Sequence, residues 1–210
     1  IRSADCSRMG EAVELCEKSG ADLIHCDVMD GSFVGPITFG GQMVKNIRPR
    51  TKLPLDVHLM IEHPQTQIKF FAEAGADIIT VHYEACSDVK RTLDKIKEHG
   101  RKAGVTIKPR TPNQVLEDVL DLADMILLMT VEPGFGGQAY IPESTEKIRE
   151  LRRMLDERGL DTDIEVDGGI KKDNLRTVLD AGANVIVAGS AIFKGDIERN
   201  TRDFLEIMGE

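Results

Sequence analysis

The chain has 210 residues, enough for one well-buried core and short for two domains. A formal charge of −9 leaves no basic surplus for a polyanion, and two Tyr, seven Phe and no Trp offer few rings for stacking, so nucleic acid is not an expected partner. No apolar run approaches the ~20 residues that cross a membrane, and Cys6, Cys16, Cys26 and Cys86 lack CxxC spacing, which predicts reduced thiols in a cytoplasmic protein.

Apolar, β-branched runs alternate with amphipathic stretches along the whole length. The run at 23–29 (LIHCDVM) predicts a strand, followed by a Gly/Pro-rich loop (DGSFVGPITFGG) and a short helix near 42–46. Strand 55–60 (LDVHLM) precedes a helix at 64–74, and strand 77–82 (DIITVH) precedes one at 88–99. Strand 102–107 leads to a helix at 112–122, and strand 125–130 to a long helix at 144–158. Strand 163–167 (DIEVD) leads to a helix at 172–181, and strand 184–188 to a last helix from about Asp196. Gly20, Gly75, Gly100, Gly159 and Gly182 each stop a helix shortly before the next strand. Counting a first strand at the extreme N-terminus gives eight βα units of about 26 residues each. Strands without in/out alternation suit a parallel sheet covered by helices. The expected fold is α/β, a single (β/α)8 barrel over residues 1–210, with strand C-termini and the loops after them making the active face.

His25, Asp27, His58 and Asp167 all fall at that face. His25 and Asp27 are two apart on one strand, so their side chains point the same way. A lone His in an apolar strand is usually a hydrogen-bonded core residue. Two buried aspartates without partners are costly, however, and a shared divalent metal satisfies all four side chains at once. The two nitrogen and two oxygen donors suit Zn, Fe, Mn or Co. The aspartates are also available as proton carriers, which points to metal-assisted acid–base chemistry on a small molecule.

Glycine motifs follow the last three strands: Gly134, Phe135, Gly136 and Gly137 in MTVEPGFGGQ, Gly168 and Gly169 after Asp167, and Gly189-Ser190 after the final strand. Glycine lets main-chain N–H groups approach an anion, so the three together predict a phosphate grip. Met29, Met60 and Met129 stand at strand ends, either as ordinary core filling or as an apolar lid over the reacting carbon. Lys108 also ends a strand, but no nucleophile elbow or GxGxxG accompanies it. The run at 147–158 reads as a solvated helix face.

The strings His25-Cys26-Asp27-Val28-Met29-Asp30-Gly31, Asp56-Val57-His58-Leu59-Met60, MTVEPGFGGQ, Glu165-Val166-Asp167-Gly168-Gly169 and Val187-Ala188-Gly189-Ser190 resemble the ribulose-phosphate 3-epimerase family over essentially the whole chain. The resemblance implies a TIM barrel of the ribulose-phosphate-binding type and inversion at C3 between D-ribulose 5-phosphate and D-xylulose 5-phosphate. It places one divalent metal on His25, Asp27, His58 and Asp167, and the acid and base on Asp27 and Asp167. It places a phosphorylated ketose against His58, Gly134, Phe135, Gly136, Gly137, Gly168, Gly169, Gly189 and Ser190. A homo-oligomer is expected. Three departures stand out: the family's Pro-Ser precedes the position of Ile1, Arg2 replaces an apolar strand residue, and Ser32-Phe33-Val34-Gly35-Pro36 replaces His-Phe-Val-Pro-Asn. A hexulose-phosphate 3-epimerase acting on D-allulose 6-phosphate would use the same groups. A phosphate-binding decarboxylase would need a D-x-K-x-x-D string, which is absent. A non-catalytic sugar-phosphate binder would leave the ligand set without a use.

Overall fold

In a computed structural model, which describes residues 1–209, the apolar runs become seven strands of one parallel sheet. They are β1 (Ile24–Met29), β2 (Leu55–Met60), β3 (Ile78–His82), β4 (Lys102–Ile107), β5 (Met125–Met129), β6 (Asp163–Asp167) and β7 (Val185–Val187), hydrogen-bonded in chain order. The α-helices are α1 (Met9–Lys18), α2 (Gly41–Ile47), α3 (Ile68–Ala74), α4 (Val89–Glu98), α5 (Ser144–Glu157), α6 (Lys172–Asp180), α7 (Ser190–Phe193) and α8 (Ile197–Met208). β1, β2, β3 and β5 are buried along their whole length, which is why their sequences carry no alternation. Ile24, Cys26, Val28, Leu55, Val57, Leu59, Ile126 and Leu128 turn outward into the main core with the helices. The residues between them turn inward, so the barrel interior receives His25, Asp27, Asp56, His58, Thr80 and Glu165.

The helix ends follow their caps. Asp88 accepts the Arg91 N–H to start α4, and Asp196 accepts the Arg199 N–H to start α8. Gly75 ends α3 at φ 105°, where a side chain would be strained, and its N–H returns to the last carbonyls.

Three expectations change. The strand expected at the extreme N-terminus is not formed among the described residues, so the barrel is seven-stranded and nearly closed. Ile1 gives only its main-chain nitrogen to His25 O (2.7 Å), and the chain then turns back with Ala4 N on Ile1 O, so no ladder propagates. The helix expected at 112–122 is instead a run of tight turns beginning with a 3-10 segment (Asn113–Leu116). Val115, Glu117, Val119 and Leu122 each donate three residues back, and buried Asn113 is held by Lys147 O and Glu150. The helix expected at 64–74 splits into a 3-10 turn (Pro64–Thr66) and α3, preceded by His63 at φ 53°.

Candidate active site

His25 and Asp27 share a face of β1, Asp56 and His58 a face of β2, and Glu165 and Asp167 a face of β6. Six ionisable side chains therefore meet toward the C-terminal end of the barrel. One ligand atom from each of His25, Asp27, His58 and Asp167 lies within 4.8 Å of the others. His25 Nε2 stands 3.3 Å and His58 Nδ1 3.5 Å from the same oxygen, Asp27 Oδ1.

A carboxylate shelf lies against His25. Its Nδ1 is 2.5 Å from Asp56 Oδ2 and 3.3 Å from Glu165 Oε1. A carboxylate at Nδ1 keeps a proton on that nitrogen, so Nε2 is the nitrogen that would turn a lone pair to a cation. His25 Nε2 and His58 Nδ1 are both buried with no hydrogen-bond partner. Two orphaned imidazole nitrogens converge on one carboxylate oxygen. With Asp167 as fourth donor, the set fits a divalent transition metal ion.

The electrostatics separate the two candidate proton carriers. Burial opposes charge on Asp27, but the His25 charge and the close approach of the His25 and His58 rings hold its carboxyl well below the usual range. Burial and then the Asp27 charge push Asp167 upward. Burial likewise disfavours a charged His25, yet Asp56, Glu165 and Asp27 together hold its pKa well above 6.5. Burial and the neighbouring Asp56 charge also push Glu165 well up.

Arg2 enters the same site. Its Nε lies 3.5 Å from Asp27 Oδ2, and its Nη1 donates to Gly134 O at 3.2 Å. A basic residue is costly inside a buried strand; because no strand forms here, the side chain is free to turn into the mouth. Asp27 thus faces the imidazoles with one oxygen and Arg2 with the other.

A cavity of about 360 Å³ opens over these groups. It brings together Gly134, Phe135, Gly136, Gly137, Gly168, Gly169, Gly189 and Ser190, from three separate loops, with Met29, Met60 and Met129. His58 lies beneath, fully buried. Met29 and Met60 cluster with Val34 and Phe33, and Met129 clusters with Leu127 and Val131. Phe135 is 67% exposed at its loop tip. Lys108 lies outside the cavity, its Nζ 4.2 Å above the Phe33 ring.

The glycine after Gly168 is required by space as well as by backbone. A Cβ on Gly169 (φ 68°) would stand 2.4 Å from Tyr140 N. Left-handed strain plus overpacking is worth roughly 2–5 kcal/mol, so Gly169→Ala is expected to lower Tm by about 5–15 °C. Gly100→Ala is the control, since φ is 69° there and nothing stands within 4 Å. Equal losses in thermal unfolding of the two variants would show that crowding at Gly169 contributes nothing.

Residues 1–193 match the model of the ribulose-phosphate 3 epimerase family. The chain belongs to the ribulose-phosphate 3-epimerase family. It is 57% identical over 195 residues to the ribulose-phosphate 3-epimerase of Synechocystis sp., covering 92% of this chain and 85% of that one. It is 55% identical over 194 residues to the enzyme of the same name from Bacillus subtilis, covering 92% and 89%. Among solved structures, KGPDC from Streptococcus mutans superposes with a TM-score of 0.72 at 15% identity, over 99% of this chain and 93% of that one. At that identity the likeness speaks for the barrel alone.

For this member of the epimerase family, the four ligand candidates meet as a single cluster. Sequence reasoning passed over Asp56, Glu165, His82 and Glu84, and noted Arg2 only as an anomaly. A signal existed for three of them. Asp56 and Glu165 stand two residues before His58 and Asp167 and so share their face, and His82 closes β3 as His58 nearly closes β2.

Proposed function

We propose that this chain interconverts D-ribulose 5-phosphate and D-xylulose 5-phosphate by moving the proton at C3. The observation that carries the reading is that Asp27 and Asp167 meet in one cluster within 4.8 Å, where their surroundings push the first carboxyl down and the second up. An ionised Asp27 accepts the C3 proton at Oδ2, the oxygen turned away from the imidazoles. Asp167 delivers its own proton to the other face of C3, and the configuration inverts. The pair ends with Asp27 protonated and Asp167 ionised, which is the starting state for the reverse reaction, so the two titrate as one unit.

His25, Asp27, His58 and Asp167 would hold the metal, which we take to be Zn, Fe, Mn or Co from the mixed N/O set. Bound there, a divalent cation supplies positive charge beside the oxygens that become negative when C3 loses its proton. Met29, Met60 and Met129 keep water from the reacting carbon. Main-chain N–H groups of Gly168, Gly169, Gly189 and Ser190 hold the phosphate end, and Gly134, Phe135, Gly136 and Gly137 cover the sugar. Arg2 ties that covering loop to Asp27 through Gly134 O. The cavity volume is within the ~300–1,000 Å³ range of small-molecule sites. The four cysteines are free among the described residues, which supports a reducing compartment, the cytoplasm.

The test is incubation of the metal-replete protein with D-ribulose 5-phosphate in D2O. The expected product is D-xylulose 5-phosphate carrying deuterium at C3. Conversion with the original hydrogen retained would overturn the two-carboxyl route. Conversion of D-allulose 6-phosphate alone, run in parallel, would keep the route and move the substrate.

A further inference from the structure

On the side of His58 away from Asp27, a hydrogen-bonded chain runs from the buried His58 and His82 out through Glu84 to the surface loop after β4. His58 Nε2 and His82 Nε2 are 3.0 Å apart, and His82 Nδ1 is 3.3 Å from Glu84 Oε2. Glu84 Oε1 accepts the Lys108 N–H at 2.8 Å and the Thr111 hydroxyl at 2.5 Å. Lys147 Nζ fixes the same loop by donating to Lys108 O and Pro109 O, at 2.9 and 3.1 Å. The Phe33 ring lies 4.7 Å from the His82 ring on its other side.

Proton placement along this chain is constrained. A carboxylate oxygen can only accept, so the Glu84 contact requires the N–H of His82 to be on Nδ1. A neutral imidazole carries one N–H, so His82 Nε2 is then a lone pair. Only one proton fits between two nitrogens 3.0 Å apart, and it must therefore belong to His58 Nε2. In a neutral His58 ring Nδ1 is then bare, and it is the orphaned nitrogen facing Asp27.

We propose that His82 and Glu84 are positioning residues that set the His58 tautomer, aiming the Nδ1 lone pair at the metal position. The inference rests on the metal reading of the His25, Asp27, His58 and Asp167 set. It also gives the two histidine ligands opposite supports. Asp56 holds His25 at Nδ1 and turns Nε2 to the metal position; Glu84, acting through His82, holds His58 at Nε2 and turns Nδ1 there.

Proton-coupled 15N spectra of the metal-free protein read the tautomer directly, with no variant and no metal. The expected result is a protonated Nε2 and an unprotonated Nδ1 on His58. A His58 ring protonated at Nδ1 would overturn the proposal, whatever the metal affinity. His82→Phe keeps the bulk but removes the acceptor, and should weaken Zn binding by about 10–100-fold in a chelator competition. His82→Gln places an amide oxygen near the same point and should stay within about threefold of the parent. Phe and Gln variants of equal affinity would reduce His82 to a packing role. Failure of the parent itself to bind Zn would instead remove the metal reading, while the spectra would still report the tautomer.

Discussion

Asp167→Asn is expected to lower kcat for epimerisation by about a thousandfold or more, while C3 hydrogen exchange with solvent survives in one of the two epimers. The geometry leaves Asp27 in place with Arg2 and both imidazoles around it, so it can still take a proton from the epimer that presents C3–H to it. That proton is then lost to D2O and a deuteron returns to the same face. The configuration is unchanged. Asp27→Asn should give the reciprocal result, with exchange confined to the other epimer. Deuterium incorporation followed by NMR, with metal content measured on each variant, separates this outcome from simple loss of the ligand set. Exchange in both epimers with either variant would show that one acid reaches both faces, and near-parent epimerisation would end the two-carboxyl scheme.

Removal of the metal by a strong chelator should abolish turnover, and Zn, Mn, Fe or Co should restore it. The sharper expectation concerns pH. In the metal-free protein the Asp56, Glu165 and Asp27 carboxyls outweigh burial and keep His25 protonated well above pH 6.5. A cation needs the Nε2 lone pair and must displace that proton, so binding at pH 7 should release about one proton per ion from His25. Metal affinity should then fall about tenfold for each pH unit below the raised His25 value. Calorimetry in two buffers of different ionisation enthalpy measures the proton count. No release would mean that His25 is already neutral and that the carboxylate shelf does not do what its geometry implies. The stability of the metal-free fold should move the opposite way. A raised folded pKa contributes stability that is fully present below the unfolded value, near 6.5, and is lost as pH rises through the folded one. Raising the pH should therefore lower the His25 contribution to the metal-free Tm while strengthening the metal complex.

The fold was legible where a single local rule decides. Strands 55–60, 102–107 and 163–167 end where the sequence pattern places them, because buried parallel strands are continuous apolar runs bounded by turn residues. α4 and α8 begin at an aspartate cap, and α3 ends at a left-handed glycine. Where contacts from elsewhere decide, the pattern misled. The stretch at 112–122 has helical apolar spacing, but the Asn113 side chain is drawn into α5 and the chain closes three-residue turns instead. The N-terminal residues have strand-like neighbours on both sides in the barrel, yet Ile1 makes one bond to β1 and the chain turns.

The sequence by itself determined the alternation of strand and helix, and the placing of His25, Asp27, His58 and Asp167 at strand C-termini, because a two-residue period and a parallel barrel leave those side chains nowhere else to point. Tertiary structure alone decided which partner stands behind each of them. Asp56 reaches His25 from the neighbouring strand, Glu165 reaches it from β6 across the unpaired seam between β7 and β1, and His82 brings Glu84 to His58 from β3. Arg2 reaches Asp27 through a segment that never became a strand. These partners fix tautomers and protonation states through distances of a few ångströms between residues 24 to 140 positions apart. No spacing rule records such distances, because they exist only once the barrel is formed.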